Sequence, residues 1–71
     1  MNNYQKISCE DHSIYELVIM RGQSMKVEIN GEIIRIKPID LLTKESQEFL
    51  IFIDELGDKK EIRADQISIQ R

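Results

Sequence analysis

The sequence predicts a mainly β domain with one N-terminal helix, its strands antiparallel and wound into a small, strongly bent barrel. Three observations predict it. The apolar residues are dominated by β-branched types, with thirteen Ile and two Val against five Leu and one Ala; such side chains lose freedom on a helix and pack well on a pleated surface. Apolar residues alternate with charged ones on both sides of Asn30-Gly31, the strongest short hairpin signal because both residues accept a positive φ. One segment near the start departs from the pattern and carries helix-capping chemistry instead.

That segment is Ser13-Ile14-Tyr15-Glu16, which reads as a capping box with Ser13 at the N-cap and Glu16 reaching back to the first turn. Glu10 and Asp11 precede it, where negative charge favours the helix dipole. Ile14, Leu17 and Val18 share one face, and Gly22 is a natural stop. The spacing predicts a helix over about residues 11–20. Met25, Val27 and Ile29 then alternate with Lys26 and Glu28 as a half-buried strand. After the hairpin, Ile34 and Ile36 lie on one face with Arg35 and Lys37 opposite. Beyond Pro38 the phase flips, because Ile39 and Leu41 have the other parity; a bulge or bend near Pro38 would return both sets to one core.

Phe49 to Ile53 is apolar without alternation and reads as a central strand covered on both faces. Leu56-Gly57-Asp58-Lys59 turns the chain. Ile62 and Ala64 begin a short strand, Asp65-Gln66 break it, and Ile67 and Ile69 make a last one. Ile34, Ile36, Phe52, Ile62 and Ile67 are the candidate core. No repeat, linker or low-complexity tract divides the chain, so residues 1–71 read as one domain.

Composition narrows the function. The 71 residues are 41% hydrophobic and 32% charged, a balance that suits a folded domain better than disorder. The lone Cys9 leaves no internal disulfide and no cysteine pair for a zinc site. A net charge of −3 lowers the expectation of direct nucleic-acid binding. The longest apolar run is far short of a membrane span, and no signal-peptide pattern opens the chain. The reading is a soluble cytoplasmic domain with no membrane association.

An active site needs titratable groups in a sheltered cleft, and few are on offer. Cys9 and His12 are read as lying ahead of the helix, with the thiol packed beneath it and the imidazole exposed; no orienting group or oxyanion site accompanies them. His12 with Glu10 and Asp11 would make a poor metal site, and capping already accounts for the acids. No phosphate-cradling glycine loop is present. The chain is therefore not expected to be an enzyme or to carry a cofactor or metal. Glu10, Asp11 and Glu16 have two readings: a capped, solvated helix start, or an acidic face for a basic protein. Thr43 to Gln47 is a polar loop between strands, and loops carry recognition. Lys59 and Lys60 read as solvated turn residues, and Phe49 and Phe52 as core rather than as a base-stacking platform.

These residues resemble the Rho-binding antiterminator family (Rof), small bacterial inhibitors of transcription termination factor Rho. Tyr4-Gln5-Lys6-Ile7-Ser8-Cys9-Glu10-Asp11 looks like that family's Tyr-x-Pro-Ile-x-Cys-Asp start, and Tyr15-Glu16 stands where the family has Leu-Glu. Further similarities are Asn30-Gly31, Asp40-Leu41, Glu48-Phe49-Leu50 and the run from Glu61 to Ile67. Together they cover nearly the whole chain in order. The resemblance implies an Sm-like fold, an N-terminal helix with a five-stranded bent barrel. It also implies a monomeric inhibitor that docks on Rho's N-terminal RNA-binding domain and blocks RNA. Its interface, carried over by position, is Glu10, Asp11, His12, Ser13 and Glu16 at the helix start with Lys44, Glu45 and Ser46 in the loop. The chain departs from the pattern where Lys6 replaces Pro, His12-Ser13 replace a Tyr-Asp pair and Glu45 replaces a basic residue.

Two other functions stay open. One is an Sm-like protein that binds single-stranded RNA, and the other a small adaptor for a different protein partner.

Overall fold

A computed structural model describes residues 7–70. The helix α1 (Cys9–Arg21) is followed by β1 (Met25–Ile29), β2 (Glu32–Lys44), β3 (Gln47–Ile53), β4 (Lys59–Arg63), a short 3-10 turn (Ala64–Gln66) and β5 (Ile67–Ile69). The strands form one antiparallel sheet in the order β4-β3-β2-β1-β5. The mainly β class with a single N-terminal helix is as the sequence predicts. The sheet is open, with β4 and β5 at its edges, so the closed barrel is replaced by a bent sheet.

The helix begins earlier than the sequence spacing suggests. Ser8, not Ser13, is the N-cap, its hydroxyl accepting from the Asp11 amide at 3.1 Å. Ser13 lies inside the helix, and Glu10 and Asp11 occupy the first turn rather than preceding it. Cys9 and His12 are therefore helical, and Cys9 is exposed instead of packed beneath the helix. Gly22 ends the helix as expected, in the left-handed conformation at φ 62. The buried helical residue is Tyr15, whereas Leu17 remains 47% exposed.

The Asn30-Gly31 hairpin forms with both residues at positive φ, as a type I′ turn requires. It sets β1 against the first half of β2, with Val27 opposite Ile34 and Met25 opposite Ile36. The second half of β2 pairs with β3, after a register shift between Pro38 and Asp40. Ile39 is the inserted residue. The bulge restores Leu41 to the core side but leaves Ile39 38% exposed, so only one of the two expected residues returns. A bulge bends its strand and strengthens local twist, and β2 thereby serves both halves of the sheet.

The core is built from Tyr15, Val27, Ile36, Leu50, Phe52 and Ile67, with Ile34, Leu41 and Ile62 packed partly buried against it. All five candidate core residues are thus in or against it. β3 is covered unevenly: Leu50 and Phe52 are buried, while Phe49, Ile51 and Ile53 on the other face are half-buried. Lys59 and Lys60 belong to β4 rather than to a turn. The turn itself is organised by Asp54, whose carboxylate accepts from the amides of Leu56 and Asp58, both at 2.9 Å, and pairs with Lys60 at 3.0 Å.

Candidate functional site at the helix start

Ser8 caps the start of α1, and Tyr15, buried in the core, holds the helix on the sheet. With Tyr15 inserted into the core, His12 lies on the adjoining turn and is half-buried against the sheet side. On the sheet, the β2–β3 hairpin turns tightly through Glu45 and Ser46, both in the left-handed region at φ 51 and 65. The expected five-residue loop is therefore two strand ends joined by a two-residue turn. This register sets Thr43 opposite Glu48, and strand alternation places Glu48 on the same side of β3 as Leu50 and Phe52.

The two segments meet. Ile7, Cys9, His12, Ser13, Thr43, Ser46 and Glu48 line a recess of about 570 Å³ between the helix start and the hairpin. His12 spans it: Nδ1 lies 3.2 Å from Glu16 Oε1 on the same helix, and Nε2 lies 3.4 Å from Glu48 Oε2 on β3. The Glu48 side chain is only 12% exposed, against 39% for His12 and 59% for Glu16. Of the residues carried over from the resemblance, His12, Ser13 and Ser46 line the recess and Glu16 borders it through His12. Glu10 is exposed in the first helical turn, and Asp11, half-buried, faces Tyr15 closely enough to act on it. Burial, helped by the Asp11 carboxylate, pushes the Tyr15 hydroxyl up to about 12.

Lys44 does not join this group. Its register places it on the opposite face of the sheet, where Nζ pairs with Glu61 at 2.9 Å and lies 4.9 Å from the centre of the Phe49 ring. Glu45 sits at the tip of the turn, exposed. Glu48 was missed as a site residue by the sequence reading; its parity gives it the face of Leu50 and Phe52, and the hairpin register and helix docking then bring it to His12.

The arrangement can recognise a cationic partner by charge and hydroxyl contacts. Among the described residues no group of His, Cys, Asp and Glu is placed to hold a metal ion. No helix of the described residues is long and apolar enough to cross a membrane. The chain thus defines a small single-helix, open-sheet β domain with a recess at its helix start that holds His12, Glu48 and three hydroxyls. Comparison with protein-family models and with curated proteins gives no match.

Proposed function

We propose that this protein binds transcription termination factor Rho at the RNA-binding surface of its N-terminal domain and inhibits Rho-dependent termination by occluding RNA. It acts as a monomer, in the cytoplasm, without catalysis or cofactor. One observation carries the reading: the helix start and the β2–β3 turn, the two segments that the family resemblance implies as an interface, border one recess. A surface that holds RNA presents cations to phosphates, so an acidic face complementary to it competes by placement alone. Glu48 supplies charge in the recess and Glu16 borders it through His12, with Ser13 and Ser46 as hydrogen-bonding partners, while Glu10 and Asp11 add charge elsewhere on the first turn of the helix. The position of Lys44 makes it a support for the hairpin through Glu61 rather than a member of the recess.

The test is competition. Labelled single-stranded RNA is bound to Rho, and the protein is titrated in while anisotropy is followed. RNA displacement together with a Rho–protein complex on sizing supports the reading. RNA that stays bound with no complex formed overturns it. Direct capture of the RNA by the protein would replace it with the Sm-like RNA-binding reading.

A further inference from the structure

The sheet has a second face, turned away from α1 and the recess. Strand alternation puts Ile33, Arg35 and Lys37 of β2 there, all exposed, while Ile34, Ile36 and Pro38 turn to the core. Lys26 lies directly opposite Arg35 in the β1–β2 register, and Ile53 of β3 lies between Lys37 on β2 and Lys59 on β4. Neighbouring strands stand about 4.8 Å apart, so these cations form one band across the sheet. Among the described residues, none of Lys26, Arg35, Lys37 and Lys59 is ion-paired. The band is costly to the fold by itself. Like charges placed directly opposite across an antiparallel pair destabilise it, and Lys26 with Arg35 is such a pair. Beside them Ile33, 61% exposed, leaves a large apolar side chain in water. One kind of ligand offsets both costs: a chain that sets carboxylates against the cations and an apolar side chain on Ile33.

We propose that this outer face docks an acidic, partly apolar polypeptide segment of a partner protein. Lys26, Arg35, Lys37 and Lys59 take its carboxylates, Arg35 through the planar fork that matches them. Ile33, with the half-buried Ile53, takes its apolar side chains. His12 and Glu48 lie on the other side of the sheet, so the docking face goes beyond the Rho reading and does not depend on it.

The acids nearby select this partner over RNA. Glu28 stands opposite Ile33 in the register, Asp40 follows the bulge, and Glu61 holds Lys44 at 2.9 Å. The Glu55 carboxylate accepts from the Arg35 amide at 3.3 Å, at the end of the band. A nucleic-acid strand carries a charge at every phosphate and meets these acids wherever it runs. A peptide spaces its charges and can match the cations alone. Base stacking also needs a free aromatic face, and the ring on this side of the sheet, Phe49, already lies under the Lys44 ammonium at 4.9 Å.

The experiment uses the full chain at neutral pH and low salt, with a fluorescein-labelled octapeptide of alternating Glu and Leu read by anisotropy. Wild type should bind. Arg35→Gln with Lys37→Gln should weaken binding roughly two- to twenty-five-fold, at about 1.5- to 5-fold for each exposed charge pair, and less at higher salt. Arg21→Gln is the control: it removes a cation from the last turn of α1, away from this face, and should bind like wild type. Circular dichroism verifies that each variant is folded. Failure of wild type to bind overturns the proposal, as does a loss in Arg21→Gln as large as in the double variant. NMR of the wild-type chain locates the peptide without any substitution: the amides of Lys26, Ile33, Arg35, Lys37 and Lys59 should shift on titration. Shifts confined to Cys9, His12, Ser13 and Glu48 would put the peptide in the recess and overturn the docking face. Single-stranded oligouridine that displaces the peptide and binds this face more tightly would overturn the choice of partner.

Discussion

Replacing Tyr15 by Ala removes the side chain that holds the helix, and with it the site, against the sheet. Tyr15 is 1% exposed and is the buried residue of α1, in one cluster with Val27, Ile36, Leu50, Phe52 and Ile67. Truncating a buried aromatic costs about 3–5 kcal/mol, through lost transfer energy and the cavity left behind. A domain of 71 residues commands only about 4–11 kcal/mol in total, at roughly 0.05–0.15 kcal/mol per residue. The variant should therefore lose a large fraction of its stability. Urea denaturation followed by circular dichroism measures the loss, and amide exchange should rise more steeply in α1 than in β2 and β3. Leu17→Ala is the control: at 47% exposure it should stay within about 0.5–1 kcal/mol of wild type. The reasoning is refuted if Tyr15→Ala loses less than about 1 kcal/mol, or if Leu17→Ala loses as much as Tyr15→Ala does.

Three further outcomes are expected. The unfolded chain releases the Tyr15 proton near pH 10 and the folded chain near 12, so the folded state holds the extra proton between them. Stability should fall by about 3 kcal/mol as pH rises through that window, and the fall should be missing in Tyr15→Phe measured by the same urea titration. Asp54 is held below the usual carboxylate range, chiefly by the Asp58 amide and then by Lys60. Its contribution is therefore complete at neutral pH and is lost as pH falls from the ordinary carboxylate value toward the lowered one; Asp54→Asn should flatten that part of the acid denaturation curve. Ser46 holds φ 65, which suits glycine better. Ser46→Gly should raise stability by about 0.5–1 kcal/mol in a thermal melt, and a loss of stability would contradict the turn geometry.

The strands could be read from sequence because their signals agree at every level. Val27, Ile34 and Ile36 alternate with charge, Asn30-Gly31 supplies the turn, and the parity change at Ile39 announces the bulge. The helix could be located but not oriented. Ser8-x-x-Asp11 and Ser13-x-x-Glu16 are both capping patterns, and only packing selects the first. Ile14, Tyr15, Leu17, Val18, Ile19 and Met20 surround most of the helix with apolar side chains. Periodicity then offers two faces, and the face bearing Tyr15 wins because the core must be filled by the larger side chain. Closure was expected from curvature alone, yet curvature does not pair β4 with β5. At the site, the acids and His12 stood out as residue types. Glu48 did not, because its approach to His12 exists only once the hairpin register and the helix docking are both set.

The central claim is that the acids at the helix start serve a basic partner rather than only the helix. The measurement that tests it most directly is displacement of labelled RNA from Rho by wild type, by Glu10→Lys with Asp11→Lys, and by Glu55→Lys, at low and moderate salt. Glu55 lies in the β3–β4 turn, where its carboxylate accepts from the Arg35 amide at 3.3 Å, and its reversal serves as the control. With folding verified by circular dichroism, the double reversal should weaken inhibition by roughly five- to thirty-fold at low salt, at about 0.5–1 kcal/mol for each charge, and less at moderate salt through screening. Glu55→Lys should inhibit like wild type. A double reversal that displaces RNA as well as wild type does would contradict the account.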